Sequence, residues 1–161
     1  MLALSIPLIS SRSTLLRVLK FTAPMSIIGI LIMMGISLHF NLVKWDPKIP
    51  VIIFIWLFDN LIFVSIPEEA FFRGFIQREL YNRFGKNAWA AFGSICVTSI
   101  FFTLLHLIWV ADLPFLCLVF VASVIYGSIY QVTESIEASI LCHFGLNVTH
   151  FLLFSYPALQ S

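Results

Sequence analysis

Five long apolar runs fill most of this chain: residues 21–40, 51–66, 88–110, 115–132 and 136–154. A bilayer core of about 30 Å is crossed by about 20 apolar residues in a helix, the form that satisfies its backbone groups internally. A soluble fold would have to cover such runs with a polar surface. The chain is 60% hydrophobic and only 11% charged, so that surface is missing; ordinary soluble domains carry about 25% charged residues. The expected architecture is all-α, a polytopic helical membrane bundle of about five to six helices, with residues 1–161 forming one integral membrane domain. The net charge of +1 and the lack of a basic patch interleaved with aromatics exclude nucleic acid as a partner. Membrane lipid is the first partner, and 17 phenylalanines suit a lipid-facing surface.

The punctuation between the runs is readable. Residues 41–50 are a polar connection containing Lys44, Asp46, Pro47 and Lys48. Asp59 and Asn60 interrupt the second run, and Pro67 is expected to bend it or to start a new helix over residues 68–84. Gly85-Lys86-Asn87 reads as a helix stop and turn. At the N-terminus an apolar stretch precedes Arg12, Arg17 and Lys20, the reverse of a signal peptide. Leu15, Leu16, Val18 and Leu19 among those cations leave two readings of residues 1–20, an interfacial amphipathic helix or a tail. If the spans alternate from a cytoplasmic N-terminus, Arg12, Arg17, Lys20, Arg78, Arg83 and Lys86 lie inside, and Lys44 and Lys48 lie outside. Cys96, Cys117 and Cys142 give neither a disulfide framework nor a zinc spacing. Cys142 adjoins His143, but helix neighbours do not face each other, which favours a structural role for the thiol.

Against this apolar background, three polar constellations stand out. The first is Glu68-Glu69-Ala70-Phe71-Phe72-Arg73. Ionisable residues within membrane segments face protein or a wet cavity and often serve function. Glu69 and Arg73 are four apart with the acid N-terminal, the favoured order for a helical ion pair. That pairing leaves Glu68 without a local partner, as suits a general base. The alternative is that both acids and Arg73 form a structural ion network near the interface. The second constellation is Phe102 and His106, the third His143 and Asn147; each pair shares a helix face. Two readings of His106 stand, a satisfied core histidine or a residue that holds a water against Glu68; the side-chain donors of His143 and Asn147 are placed to hold an oxyanion. His150, seven residues beyond His143, is read as a supporting or interhelical contact. The turn at residues 85–87 sets a register. Glu68 is 18 residues before Lys86 and His106 is 20 after it, so an antiparallel hairpin puts both about 27–30 Å from its tip.

Glu68-Glu69-x-x-x-Arg73, Phe102-x-x-x-His106 and His143-x-x-x-Asn147 resemble the three ordered motifs of the CPBP (CAAX protease and bacteriocin-processing, or Abi) intramembrane proteases. The resemblance spans residues 67–147. It implies a glutamate-type endopeptidase: Glu68 activates water, His106 helps to hold it, His143 and Asn147 stabilise the oxyanion, and Glu69 and Arg73 support the site. It also raises zinc, since Glu68, His106 and His143 are ligand types. No HExxH helix is present, and a water held by Glu and His needs no metal, so the expectation is no cofactor. Only two apolar runs precede Glu68, fewer than is usual in the family. The cavity wall is therefore expected to be thinner, or completed by lipid or a partner. The expected substrate is a membrane-anchored or lipid-proximal peptide, or a sorting tail, rather than a prenylated CAAX protein. The expected setting is multi-pass, in a bacterial inner or cell membrane. Two other classes compete: a non-catalytic membrane immunity or binding protein, and a small proton-coupled transporter relaying through Asp59, Glu68, Glu69 and His106.

Overall fold

A computed structural model describes residues 9–108 and 112–155. Five helices are found among them. α1 is Arg12–His39. α2 runs without a break over residues 53–83, as Ile53–Asp59, Asn60–Ser65, Ile66–Glu69, Ala70–Gln77 and Arg78–Arg83. α3 is Ala88–His106, α4 is Leu113–Thr133 and α5 is Ile136–Leu153. α1, α3, α4 and α5 are each long and apolar enough to cross a membrane. The expected all-α membrane bundle is what the chain forms.

Side-chain caps fix the starts of α1, α3, α4 and α5. Ser11 accepts from the Thr14 amide at 3.1 Å, Asn87 from Ala90 at 2.9 Å, Asp112 from Phe115 at 3.1 Å and Ser135 from Ala138 at 3.2 Å. The turn after α2 has the anticipated chemistry. Gly85 has φ +100° and Lys86 φ 54°, left-handed backbone that ends the helix before Asn87 caps the next.

At two places the helices run on across an expected division. α1 has no boundary near residue 21. Residues 12–20 belong to the same helix as the first apolar run, and Val18 and Thr22 are buried in the bundle. The part of the 1–20 expectation that falls on residues 1–8 lies outside the described residues. Nor does Pro67 divide α2. The turn before it is π-helical, with the Ile66 amide bonded to the Leu61 carbonyl five residues back. A wider i→i+5 turn moves aside the carbonyl that a proline ring would otherwise strike, so the helix continues. A second π-helical stretch, Ala70–Gln77, follows immediately.

The helices alternate in direction, and α4 packs against all four others. α1 covers α4 and α5 through a core of Val18, Met33, Leu118, Ala122, Tyr126, Ile129, Ala138 and Cys142. α2 lies parallel to α4. Arg73 reaches Ser123, and Gln77, one turn on, reaches the Gly127 carbonyl at 2.9 Å, one turn on in α4. Close approach at that step depends on Gly127, since a Cβ there would lie 2.8 Å from Gln77 Oε1. At the opposite end of the bundle the 41–50 connection is laced to the end of α5. Asp46 and Lys48 amides bond the Leu153 and Leu152 carbonyls at 2.9 and 2.8 Å, and Trp56 stacks on Phe151 at 4.0 Å. The outer faces of α2 and α3 carry exposed Phe54, Ile55, Phe58, Phe63, Trp89, Phe92 and Phe101, an apolar surface of the kind lipid covers.

Candidate active site

The site grows from one stripe of α2. Glu69, Arg73 and Gln77 recur at four-residue steps and are wholly buried. Arg73 Nη1 donates to Glu69 Oε1 at 3.2 Å, both side chains being 0% exposed. The pair is not self-contained, as its spacing alone suggested. Arg73 Nη2 donates at 2.8 Å to both the carbonyl and the hydroxyl oxygen of Ser123. The guanidinium carbon lies 5.0 Å from the Phe102 ring centroid and 5.4 Å from that of Tyr126, within cation–π range. Glu69 Oε1 also accepts from His143 Nδ1 at 2.9 Å, and Oε2 accepts from the Ser139 hydroxyl. A buried ion pair depends on good geometry and on further hydrogen bonds around it. Four helices, α2 to α5, meet at this pair and supply them, apart from Arg73 Nε, which is buried with no hydrogen-bond partner.

The network orients both imidazoles. A carboxylate only accepts, so His143 Nδ1 carries hydrogen and Nε2 is the ring nitrogen left over. Tyr126 stacks on the same ring at 4.6 Å and 14°. His106, the last residue of α3, donates from Nδ1 to the Phe102 carbonyl at 2.8 Å, since a carbonyl oxygen also only accepts. Its Nε2 is likewise left over. Phe102 lies between the two histidines, with centroids 4.6 Å from His106 and 6.2 Å from His143. The expected hairpin register is present: Phe72 of α2 meets Phe102 of α3 at 4.8 Å.

Glu68 is half-buried. Its Oε2 is enclosed and has no hydrogen-bond partner, whereas Glu69 beside it is saturated. Its strongest electrostatic neighbours are His143 and then His106. His106, His143, Asn147 and His150 line a cavity of about 180 Å³, with Ile30, Met33, Leu118 and Ala122 among its apolar walls. Glu68 is not one of the wall residues, so the expected four-residue convergence is three residues on the cavity and one beside them. Asn147 Nδ2 donates to Asn60 Oδ1 at 3.2 Å. Asp59 is exposed and takes no part in the Glu69 network.

The resemblance raises zinc, and the described residues do not gather a ligand set for it. Among the described residues no three His, Cys, Asp or Glu side chains are disposed to share an ion. Glu68, His106 and His143 do not form such a set.

The family model described as type II CAAX prenyl endopeptidase Rce1-like matches residues 49–149, the stretch that holds every polar group above except His150. The chain belongs to the Rce1-like family. Its activity is therefore that of a CAAX-type intramembrane protease, carried by an integral multi-pass membrane protein and directed at membrane-anchored protein or peptide substrates. No curated protein and no solved structure matches the chain.

Sequence reasoning missed four members of this Rce1-like arrangement. Ser139 stands four residues before His143, so Ser139, His143 and Asn147 form one i, i+4 stripe, a signal that was there to be used. Ser123 and Tyr126 share a face of α4 at a spacing of three but look like any small polar or aromatic residue in a membrane helix. Asn60 registered only as an interruption of an apolar run.

Proposed function

We propose that this Rce1-like chain hydrolyses a peptide bond of a membrane-anchored peptide by glutamate-activated water. One observation carries the reading: Glu68 keeps an enclosed, unbonded carboxylate oxygen in the field of two imidazoles whose Nδ1 atoms are both occupied. With Nδ1–H given to Phe102, neutral His106 offers a lone pair at Nε2. A water that donates one hydrogen there and the other to Glu68 presents its own lone pair to a carbonyl carbon. Glu68 takes a proton as the oxygen–carbon bond forms, and the carbonyl oxygen becomes an oxyanion. Asn147 Nδ2–H stabilises it. His143 joins in as imidazolium, because Nδ1–H already serves Glu69 and a second hydrogen at Nε2 is needed to donate. As the tetrahedral intermediate collapses, Glu68 returns the proton to the departing amine. Glu69 and Arg73 hold His143 and touch no substrate. The apolar cavity walls beside His106 and Asn147 favour a substrate whose scissile bond lies next to an apolar anchor.

The test is turnover of internally quenched peptides in phospholipid vesicles, one arm ending in a prenylated CAAX sequence and the other held by an apolar helix without a prenyl group. Glu68→Gln keeps the shape and removes the proton acceptor. The expected loss in kcat is about 10²–10⁴-fold, the usual worth of a general base, with an unchanged melting temperature. Turnover near wild type in Glu68→Gln would refute the base assignment. The two arms decide whether the anchor is prenyl.

A further inference from the structure

Asn60 is a polar group that the reaction scheme leaves unused, and its surroundings are unusual. It opens the first π-helical stretch of α2. Its Oδ1 accepts twice, from Asn147 Nδ2 of α5 at 3.2 Å and from the Ser65 hydroxyl at 3.3 Å. In an ordinary α-helix residues five apart point about 140° away from each other, at 3.6 residues per turn. Ser65 faces Asn60 because this turn closes with i→i+5 geometry. Ser65 is completely buried and lies three residues before Glu68. The π turn thus builds a fixed acceptor on α2 and aims it at Asn147, which lines the cavity.

We propose that Asn60 is a positioning residue for Asn147, a role that rests on the reading of Asn147 as an oxyanion donor. An asparagine amide can turn over and present either oxygen or nitrogen. An oxygen turned toward an oxyanion would repel it. Asn60 Oδ1, with one lone pair held by Ser65 and the other by Asn147, selects the orientation in which Asn147 uses one N–H on Asn60 and keeps the second N–H to donate. The Asn60–Asn147 bond also ties α2, which carries Glu68, to α5, which carries His143. A shift of one helix therefore moves base and oxyanion donors together.

The role is read by a double-mutant cycle in the vesicle assay, with Glu68 intact. Asn60→Ala lowers kcat about tenfold or more and leaves KM within about twofold, since the interaction matters where charge develops. The same substitution made on Asn147→Ala costs little further, because there is no amide left to orient. Asn60→Asp, which retains an acceptor oxygen, recovers most of the loss; Ser65→Ala, which frees one lone pair of Asn60, shows a smaller kcat defect. Melting temperatures in detergent establish that each variant is folded. Unchanged kcat in Asn60→Ala, multiplicative losses in the double variant, or Asn60→Asp no better than Asn60→Ala would each overturn the proposal. The cycle depends on Asn147 rather than on the identity of the base, so it stands or falls separately from the Glu68→Gln experiment.

Discussion

Replacing Arg73 with alanine exposes how the site is held. Arg73 and Glu69 are both 0% exposed, and the alanine leaves Glu69 with two hydrogen-bond donors, Ser139 and the His143 ring, and without its guanidinium partner. Removing one partner of a buried pair costs about 3–5 kcal/mol, mostly the penalty of the charge left behind. For a chain of this size each kcal/mol moves the melting temperature by about 2–4 °C, so a fall of about 6–20 °C is expected. Arg73→Lys keeps the charge but loses the fork that serves Glu69 and Ser123 at once, and should cost about 1–3 kcal/mol. Pairing Arg73→Leu with Glu69→Gln removes both charges, so part of the stability should return, while His143 keeps an oxygen to bond. The assay is thermal unfolding in detergent, with turnover measured well below each transition. Arg73→Ala is expected to lose activity there too, because Glu69 is what orients His143. A melting point within about 2 °C of wild type, or a double variant no more stable than Arg73→Ala, would refute the account of the pair as a buried, mutually dependent unit.

Two further expectations test other parts of the molecule. Activity should survive exhaustive dialysis against a strong chelator, and excess zinc should inhibit by occupying the imidazoles; loss on chelation with recovery at one equivalent of zinc would move Glu68, His106 and His143 to ligand roles. Gly127→Ala should destabilise the bundle by about 1–3 kcal/mol, because its Cβ would lie 2.8 Å from Gln77 Oε1 and displace the bond that Gln77 makes to the Gly127 carbonyl. An unchanged melting point in Gly127→Ala would mean that α2 and α4 are free to separate at this step.

The class and the local pairs are legible along the chain. Runs this apolar, with 11% charge, have no soluble solution, and the helix is the form in which single segments satisfy their backbone in lipid. The Glu69–Arg73 pair follows from i, i+4 geometry, and the level of Phe72 with Phe102 follows from counting outward from the Gly85 turn. These depend on neighbours within one helix or across one tight turn. Tertiary structure decided the rest. Glu69 meets His143 and Ser139 across 74 and 70 positions, Arg73 meets Ser123 across 50, and Asn147 meets Asn60 across 87. No periodicity encodes such distances, since they depend on which helix faces pack together. The continuity of α2 through Pro67 was hidden for a related reason: the sequence carries proline's clash with an α-helical turn, but the π turn that removes the clash, and brings Ser65 round to Asn60, forms only where the packed bundle fixes it.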